Sequence, residues 1–553
     1  MRVGGLAMAA ALCLALSLAP GATAADETSV AIGAICSAER DAAPEGSTHQ
    51  LVKVSGVGTG GFPIATTKPE AQAWFDYGVQ LAHAFYHADA KLAFERAQAI
   101  DPACAMCAWG EAWAAGPTIN FDVDAAAQAA DKALAAKAAK LGKSESAKNR
   151  GLIGALTERY VARDAASDLA FAQAMDRLSR KYPTDSEVAI MASDAWLIVS
   201  SLHNDNQGLK RAVELLEPVL KRSPNDTGAI HFYIHATEMA GEAARALPYA
   251  ERLAGLAPGA SHLVHMASHT YFLVGRYEDA AAANAAAIGA DGAYLRAAHD
   301  ATPQGKVAYH GHDLRFGLAS ALISGDAPLG LRLADHTAFA FPAGVQGSQM
   351  VRGSAYEVYG RYAPERALAL PEPAKDLAVA AALRHYARGE ALATRGDVAG
   401  VKAEAALTVL APDAAKALPT DSRSTMQAVV KIAQLTLQGR AAMLEGKPKD
   451  AAAAYKAAAE LQEAKLSQPS MQDPPQWWYP ERRSLAAALL AAGQPKAAAI
   501  EAGRALKAWP LDPLSLKVKS QAEAALGQRA DAAHDLSLAK QGWHRGDVPL
   551  ARI

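Results

Sequence analysis

Aromatic side chains are scarce in this chain. Phe, Tyr and Trp make up 6% of its 553 residues, while the hydrophobic fraction is 51% and alanine dominates it. That composition does not fill the interior of a thick sheet sandwich. It suits thin helices that stack closely, because alanine is the best helix former and leaves little bulk between neighbours. An excess of one charge is lacking too: 55 basic and 57 acidic residues, well mixed, leave a net charge of −2. Such a balance attracts neither nucleic acid nor an anionic membrane, so neither is expected as a partner. Cysteine occurs only at 13, 36, 104 and 107. With Cys13 in the N-terminal apolar run, a four-cysteine zinc site is excluded. Cys104-Ala-Met-Cys107 is not a haem attachment motif, since Ala108 stands where histidine is required. There is no glycine-rich phosphate loop, no His-Glu-x-x-His and no Gly-x-Ser-x-Gly. No segment after the N-terminus is long and apolar enough to span a bilayer.

What is present begins with an export signal. Arg2, the short apolar run Leu6–Leu18 and the small residues Ala22-Thr23-Ala24 predict cleavage after Ala24 and a periplasmic or secreted protein. Of the remaining cysteines, one pair can form a disulfide, either from Cys36 to the first repeat or locally between Cys104 and Cys107. A copper or redox role for the Cys104–Cys107 pair is the alternative. Residues 25–68, with Gly56, Gly58, Gly60 and Gly61, read as an irregular arm. Helical repeats then occupy 69–292 and 312–553, on either side of an insertion at 293–311.

The repeats carry their own punctuation. Trp74, Tyr77, Gly78, Ala90, Phe94, Ala97 and Pro102 place two small residues where antiparallel helices cross. Rings fill the gap between the helices, and a proline ends the second. This spacing resembles the tetratricopeptide repeat, whose period is 34 residues. Gly275-Arg-Tyr-Glu-Asp-Ala280, Gly396-Asp-Val398, Gly446-Lys-Pro448, Gly493-Gln-Pro495 and Gly527-Gln-Arg529 mark further turns. Together they predict nine to eleven helical pairs, an all-α tetratricopeptide-repeat solenoid with a right-handed superhelix. Trp477-Trp478-Tyr479 before Pro480 is expected to pack the start of a late repeat.

Histidines fall on that period. His265 and His269 follow His231 and His235 by 34 residues, and each pair is spaced four apart on one helical face. His262 joins the second face and Glu238 the first. His310 and His312 come at the end of the insertion and reach the next repeat. Imidazoles converging from adjacent helices can chelate copper, zinc or iron. Glu238 would add a carboxylate, and Asp300 and Asp313 are candidates to support the ligands. The metal set is therefore expected among His231, His235, Glu238, His262, His265, His269, His310 and His312. Two other uses of the same surface stand beside it: a metal-free groove for a peptide or cell-envelope protein, and a metal-dependent enzyme pocket roofed by 292–310. His83 and His87 are also four apart, and His87, near the turn between helices, is expected to stabilise that turn rather than join the set.

Several stretches are similar to a family of exported bacterial tetratricopeptide-repeat proteins. They are Ala82-His-Ala-Phe-Tyr-His-Ala-Asp-Ala90, Asp101 to Gly110, Gly116-Pro-Thr-Ile-Asn120, His231 to Glu238, His262 to Tyr271 and Trp478-Tyr479-Pro480. The chain departs from that pattern at Tyr86 and Thr118, where asparagine is common, and at Ala267, where proline is common. The resemblance implies the architecture and a shared groove in which the first helix of each pair faces the ligand. It implies no substrate.

Overall fold

Helices alternate along the chain as antiparallel pairs, from Pro69–His83 with His87–Ile100 to Pro513–Ala525 with Arg529–Gly542. The computed structural model describes residues 51–553 except 52, 121, 124, 163, 204–205, 298–308, 341–348, 421, 467–473 and 546–547. The segment expected to direct export, Cys36 and Asp300 lie outside the described residues. Twelve helical pairs are present among them, one more than expected. The sequence signal fails where a pair turns without glycine: Gln349–Tyr362 passes to Pro364–Leu368 through Ala363 and a proline start. The architecture is the all-α tetratricopeptide-type solenoid that the repeats predict.

Most first helices end in the same way. The residue after the C-cap adopts positive φ, its N–H bonds back into the last turn, and the next N–H reaches one residue further. Gly241, Gly275, Gly396, Gly446, Gly493 and Gly527 do this with φ between 70° and 84°. At Gly275, for example, its N–H meets the Phe272 carbonyl and the Arg276 N–H meets that of Tyr271. Glycine suits the position because it has no Cβ to clash in the left-handed region. In the first repeat Phe85 holds this place at φ 61°, with the same bonds from Phe85 to Ala82 and from Tyr86 to Leu81.

Between helices the packing follows the small residues. A Cβ at Gly78 would lie 2.7 Å from the Phe94 ring, and one at Gly110 would lie 2.5 Å from it. Phe94, fully buried, thus occupies the space both glycines leave, as the spacing of 78 and 94 predicts. Cys104 and Cys107 are joined to each other, so the local bridge is the one formed. Trp477, Trp478 and Tyr479 are buried beneath the late repeats, as expected.

Two features close the solenoid. Residues 53–68 form no helix and cross the starts of successive first helices. Thr59 N–H donates to Thr227 Oγ1 at 2.7 Å, Gly61 N–H to Glu187 Oε1 at 3.0 Å, and Gly259 N–H to the Gly56 carbonyl at 2.8 Å. At the other end the last repeats return onto the middle. Tyr277 Oη donates to the Pro510 carbonyl at 2.9 Å, Phe272 meets Trp509 at 5.7 Å between ring centres, and His544 N–H donates to the Ser324 carbonyl. Among the described residues no helix is long and apolar enough to cross a membrane.

Candidate metal centre

Three consecutive first helices supply the core: Thr227–Met239, the run Ser261–His265 continued by Ala267–Leu273, and His310–Ser324. Asp226 caps the first by accepting from Ala229 N–H at 3.0 Å, which fixes where its turns begin. Residues four apart then share a face, so His231 and His235 point together, and His262, His265 and His269 do the same. His312 enters from the third helix. All six rings are buried, none more than 6% exposed. They form a closed core rather than an open groove lining, because Phe85 and Tyr309 cover them. Phe85 stacks on His235 at 5.6 Å and on His262 at 5.1 Å, and Tyr309 lies 4.4 Å from His262.

Three groups bring ligand atoms within 4.8 Å of one another: His231, His235 and His262; His265, His269 and His312; and His235, Glu238 and His269. The two triads adjoin, with 5.5 Å between the rings of His235 and His269 and 5.7 Å between those of His262 and His265.

The partners of the other ring nitrogens decide what these atoms can do. His231 Nδ1 is 2.6 Å from the main-chain carbonyl of His83, which can only accept, so the hydrogen sits on Nδ1. His265 Nδ1 is 2.6 Å from Asn284 Oδ1, and the Asn284 amide nitrogen donates to the Ala280 carbonyl at 2.7 Å, which fixes the amide's orientation. Asp313 approaches the same nitrogen at 3.2 Å. His269 Nδ1 is 2.8 Å from Glu238 Oε2. His231 and His265 therefore present bare lone pairs at Nε2, and His269, with Nδ1 on Glu238, turns its Nε2 to the same place. Yet His265 Nε2 lies 2.7 Å from His269 Nε2 and 3.1 Å from His312 Nε2. His231 Nε2 lies 3.2 Å from His262 Nε2. His265 and His269, with both Nδ1 atoms committed to oxygen, meet in a way that needs a cation or a proton between them, whereas His262 and His312 can each carry hydrogen on Nε2 and donate.

A proton is disfavoured on five of the six rings. Burial first, then repulsion from neighbouring rings, pushes His235, His262, His265 and His312 well below the ordinary histidine value. Burial likewise takes His231 down to about 3. Imidazoles whose outer nitrogens bond to carbonyl, amide and carboxylate oxygen are the arrangement that orients histidine for a transition metal.

The other candidates fall around this centre. Glu238 orients His269 and stands 3.8 Å from His235 Nδ1. It also lines a cavity of about 530 Å³ with Leu273, Pro480 and Trp509. His310 is placed apart from the triads: its Nδ1 meets Asp291 at 2.6 Å and its Nε2 meets His336 at 3.0 Å. His83 bonds Glu187 at 2.8 Å and supplies only its carbonyl to the core. His87 packs against Phe85 at 5.3 Å. Tyr86, at a departure from the family pattern, reaches Ser261 Oγ at 2.7 Å and so tethers the first repeat to the helix of His262. Tyr277–Ala297 is one continuous helix, so positions 293–297 of the expected insertion are helical. Phe85, Asn284 and Tyr309 were not legible as site residues. The one signal is Phe85 standing where other repeats carry glycine.

No family model matches the chain, and no curated protein matches it. Among solved structures, the human IFIT1 dimer with m7Gppp-AAAA aligns at 12% identity and a TM-score of 0.32, covering 75% of this chain and 86% of that one. The TPR domain of P58(IPK) aligns at 15% identity and 0.20, covering 67% and 96%. Naa15/Naa10 bound to HypK-THB aligns at 13% and 0.21, covering 85% and 89%. Likeness at these TM-scores carries no weight here, and the fold rests on the helix pairing described above.

Proposed function

We propose that this chain is an exported, periplasmic helical-repeat protein whose histidine core binds transition metal ions, one at each triad. The observation that carries the reading is the convergence of the Nε2 atoms of His265, His269 and His312, with Nδ1 of His265 and His269 committed to oxygen. All-nitrogen triads favour copper or zinc; iron becomes competitive where Glu238 joins His235 and His269. The peptide-groove reading loses ground because the histidines are covered. A metal-dependent enzyme acting on a small molecule gains from the cavity at Glu238, which brings solvent to one side of the core.

Binding energy at such a site is folding energy. Chelator-stripped protein is expected to melt at a lower temperature than untreated protein and to regain the loss on addition of one ion among Cu, Zn and Fe. The His265→Ala variant is expected to show neither response at the triad it disrupts. Identical melting of stripped and reconstituted wild type, with every ion tried, would sink the reading.

A further inference from the structure

Far along the chain from the histidines, the late repeats enclose a second concentration of polar groups. Arg361 comes from Gln349–Tyr362, Arg440 from Arg423–Leu444 and Arg483 from Glu481–Ala491. Arg440 is 0% exposed and Arg483 1%. Tyr479 lies between two of them: the guanidinium of Arg361 is 4.6 Å from its ring centre and that of Arg483 is 4.3 Å. Stacking of this kind holds guanidinium planes in fixed directions.

Donors in this chamber outnumber the acceptors that meet them. Arg361 Nε and Nη2, Arg440 Nη2, Arg483 Nε, Trp478 Nε1 and the hydroxyls of Tyr386 and Tyr455 have no hydrogen-bond partner. The nearby acceptors are committed elsewhere. Glu390 takes Arg440 Nε at 3.2 Å, and Asp512 takes Arg483 Nη1 at 2.7 Å. Glu481 Oε1 accepts from Thr436 and from Trp477 Nε1. Among the described residues Arg361 has no carboxylate within ion-pair distance, and Glu390 acts on it only from further off. Two carboxylate oxygens, on Glu357 and Glu481, are also unpartnered. Burial pushes both carboxyls up, Glu481 to about 7, and in the acid form they add donors rather than acceptors. Leaving this many buried donors unmade is costly.

We propose that this chamber binds a small oxyanion, a phosphate or a carboxylate, through Arg361, Arg440 and Arg483 around Tyr479. Arginine forks match two oxygens of such an ion at once, and the flanking rings exclude competing water. The cavity of about 530 Å³ comes near on one side, through Pro480 and through Gln462, which donates to the Tyr479 carbonyl at 2.9 Å.

The test has two arms. Purified full-length protein, exchanged into chloride buffer, is titrated calorimetrically with inorganic phosphate and, separately, with succinate. The denatured protein is assayed for released oxyanions by ion chromatography. The proposal expects saturable binding of one of the two probes, or one co-purified oxyanion per chain, and the preferred probe separates a phosphate source from a carboxylate one. Arg361→Lys, which keeps the charge and loses the fork, is expected to weaken binding at least tenfold, and Arg361→Gln further still. Water alone in the chamber gives no released ion and no saturable heat from wild type. That result overturns the proposal, as does unchanged affinity in a folded Arg361→Gln protein.

Discussion

Each imidazole of the core is defined by the oxygen behind it. Asn284 holds the hydrogen of His265 on Nδ1 and so turns Nε2 toward His269 and His312. Asn284→Ala is expected to lower metal affinity about tenfold, the lower end of what such orienting partners contribute, without changing the number of ions bound at saturation. A competition titration against a chelator of known affinity measures this. Phe85 illustrates a second kind of residue effect. Its φ of 61° costs an L-residue about 1–2 kcal/mol, while its buried ring contributes about 3–5 kcal/mol of packing over the histidines. Phe85→Gly relieves the first and forfeits the second, so a net loss of about 1–4 kcal/mol is expected in denaturant unfolding. A gain in stability would show that the ring contributes little to the core. The histidine spacing was legible because a 34-residue repeat copies side chains to equivalent positions. Phe85, Tyr309 and Asn284 were not, since what they do depends on neighbours brought together from three repeats.

Among the elements, helix pairing follows rules visible in the chain. Small residues mark the crossings, and glycine marks the left-handed turn after most first helices. Gly110 shows how tight the crossing is, with the space for its Cβ lying 2.5 Å from the Phe94 ring, and the ring is fully buried. Gly110→Ala is expected to destabilise by about 1–3 kcal/mol, the range for overpacking, despite alanine's better helix propensity of about 1 kcal/mol. Thermal unfolding of the variant checks the sign. Element boundaries were less legible. The helix Tyr277–Ala297 runs through positions read as the start of an insertion, because Ala-rich sequence carries no stop signal. The pair at 349–368 turns on proline, not glycine, and so lacked the expected mark.

At the scale of the whole molecule, contacts between distant repeats were not legible at all. The return of Trp509-Pro510 onto Phe272 and Tyr277 joins segments more than two hundred residues apart, and no periodic pattern encodes it. Interior closure also forces charge inside. Glu390 pairs with Arg440, and although burial opposes its ionisation, Arg440 and Arg361 together hold its carboxyl below the ordinary 4.5. A depressed carboxyl contributes stability that is present above pH 4.5 and is lost as pH falls through its folded value. Glu390→Gln leaves Arg440 buried without its partner and is expected to cost about 3–5 kcal/mol at neutral pH. The gap between wild type and variant should narrow in urea unfolding below pH 4.5. A gap that stays constant to pH 3 would contradict the pairing.

The central claim is that buried histidine triads hold metal, and elemental analysis tests it most directly. Wild-type protein is purified without an affinity tag, beside the His265→Ala/His269→Ala double variant and a His310→Ala control. The account predicts near-stoichiometric copper, zinc or iron in wild type and in the control, whose histidine meets Asp291 and His336 instead. The double variant should lose the ion of its triad. Metal-free wild type that takes up none of the three ions on reconstitution would contradict the account.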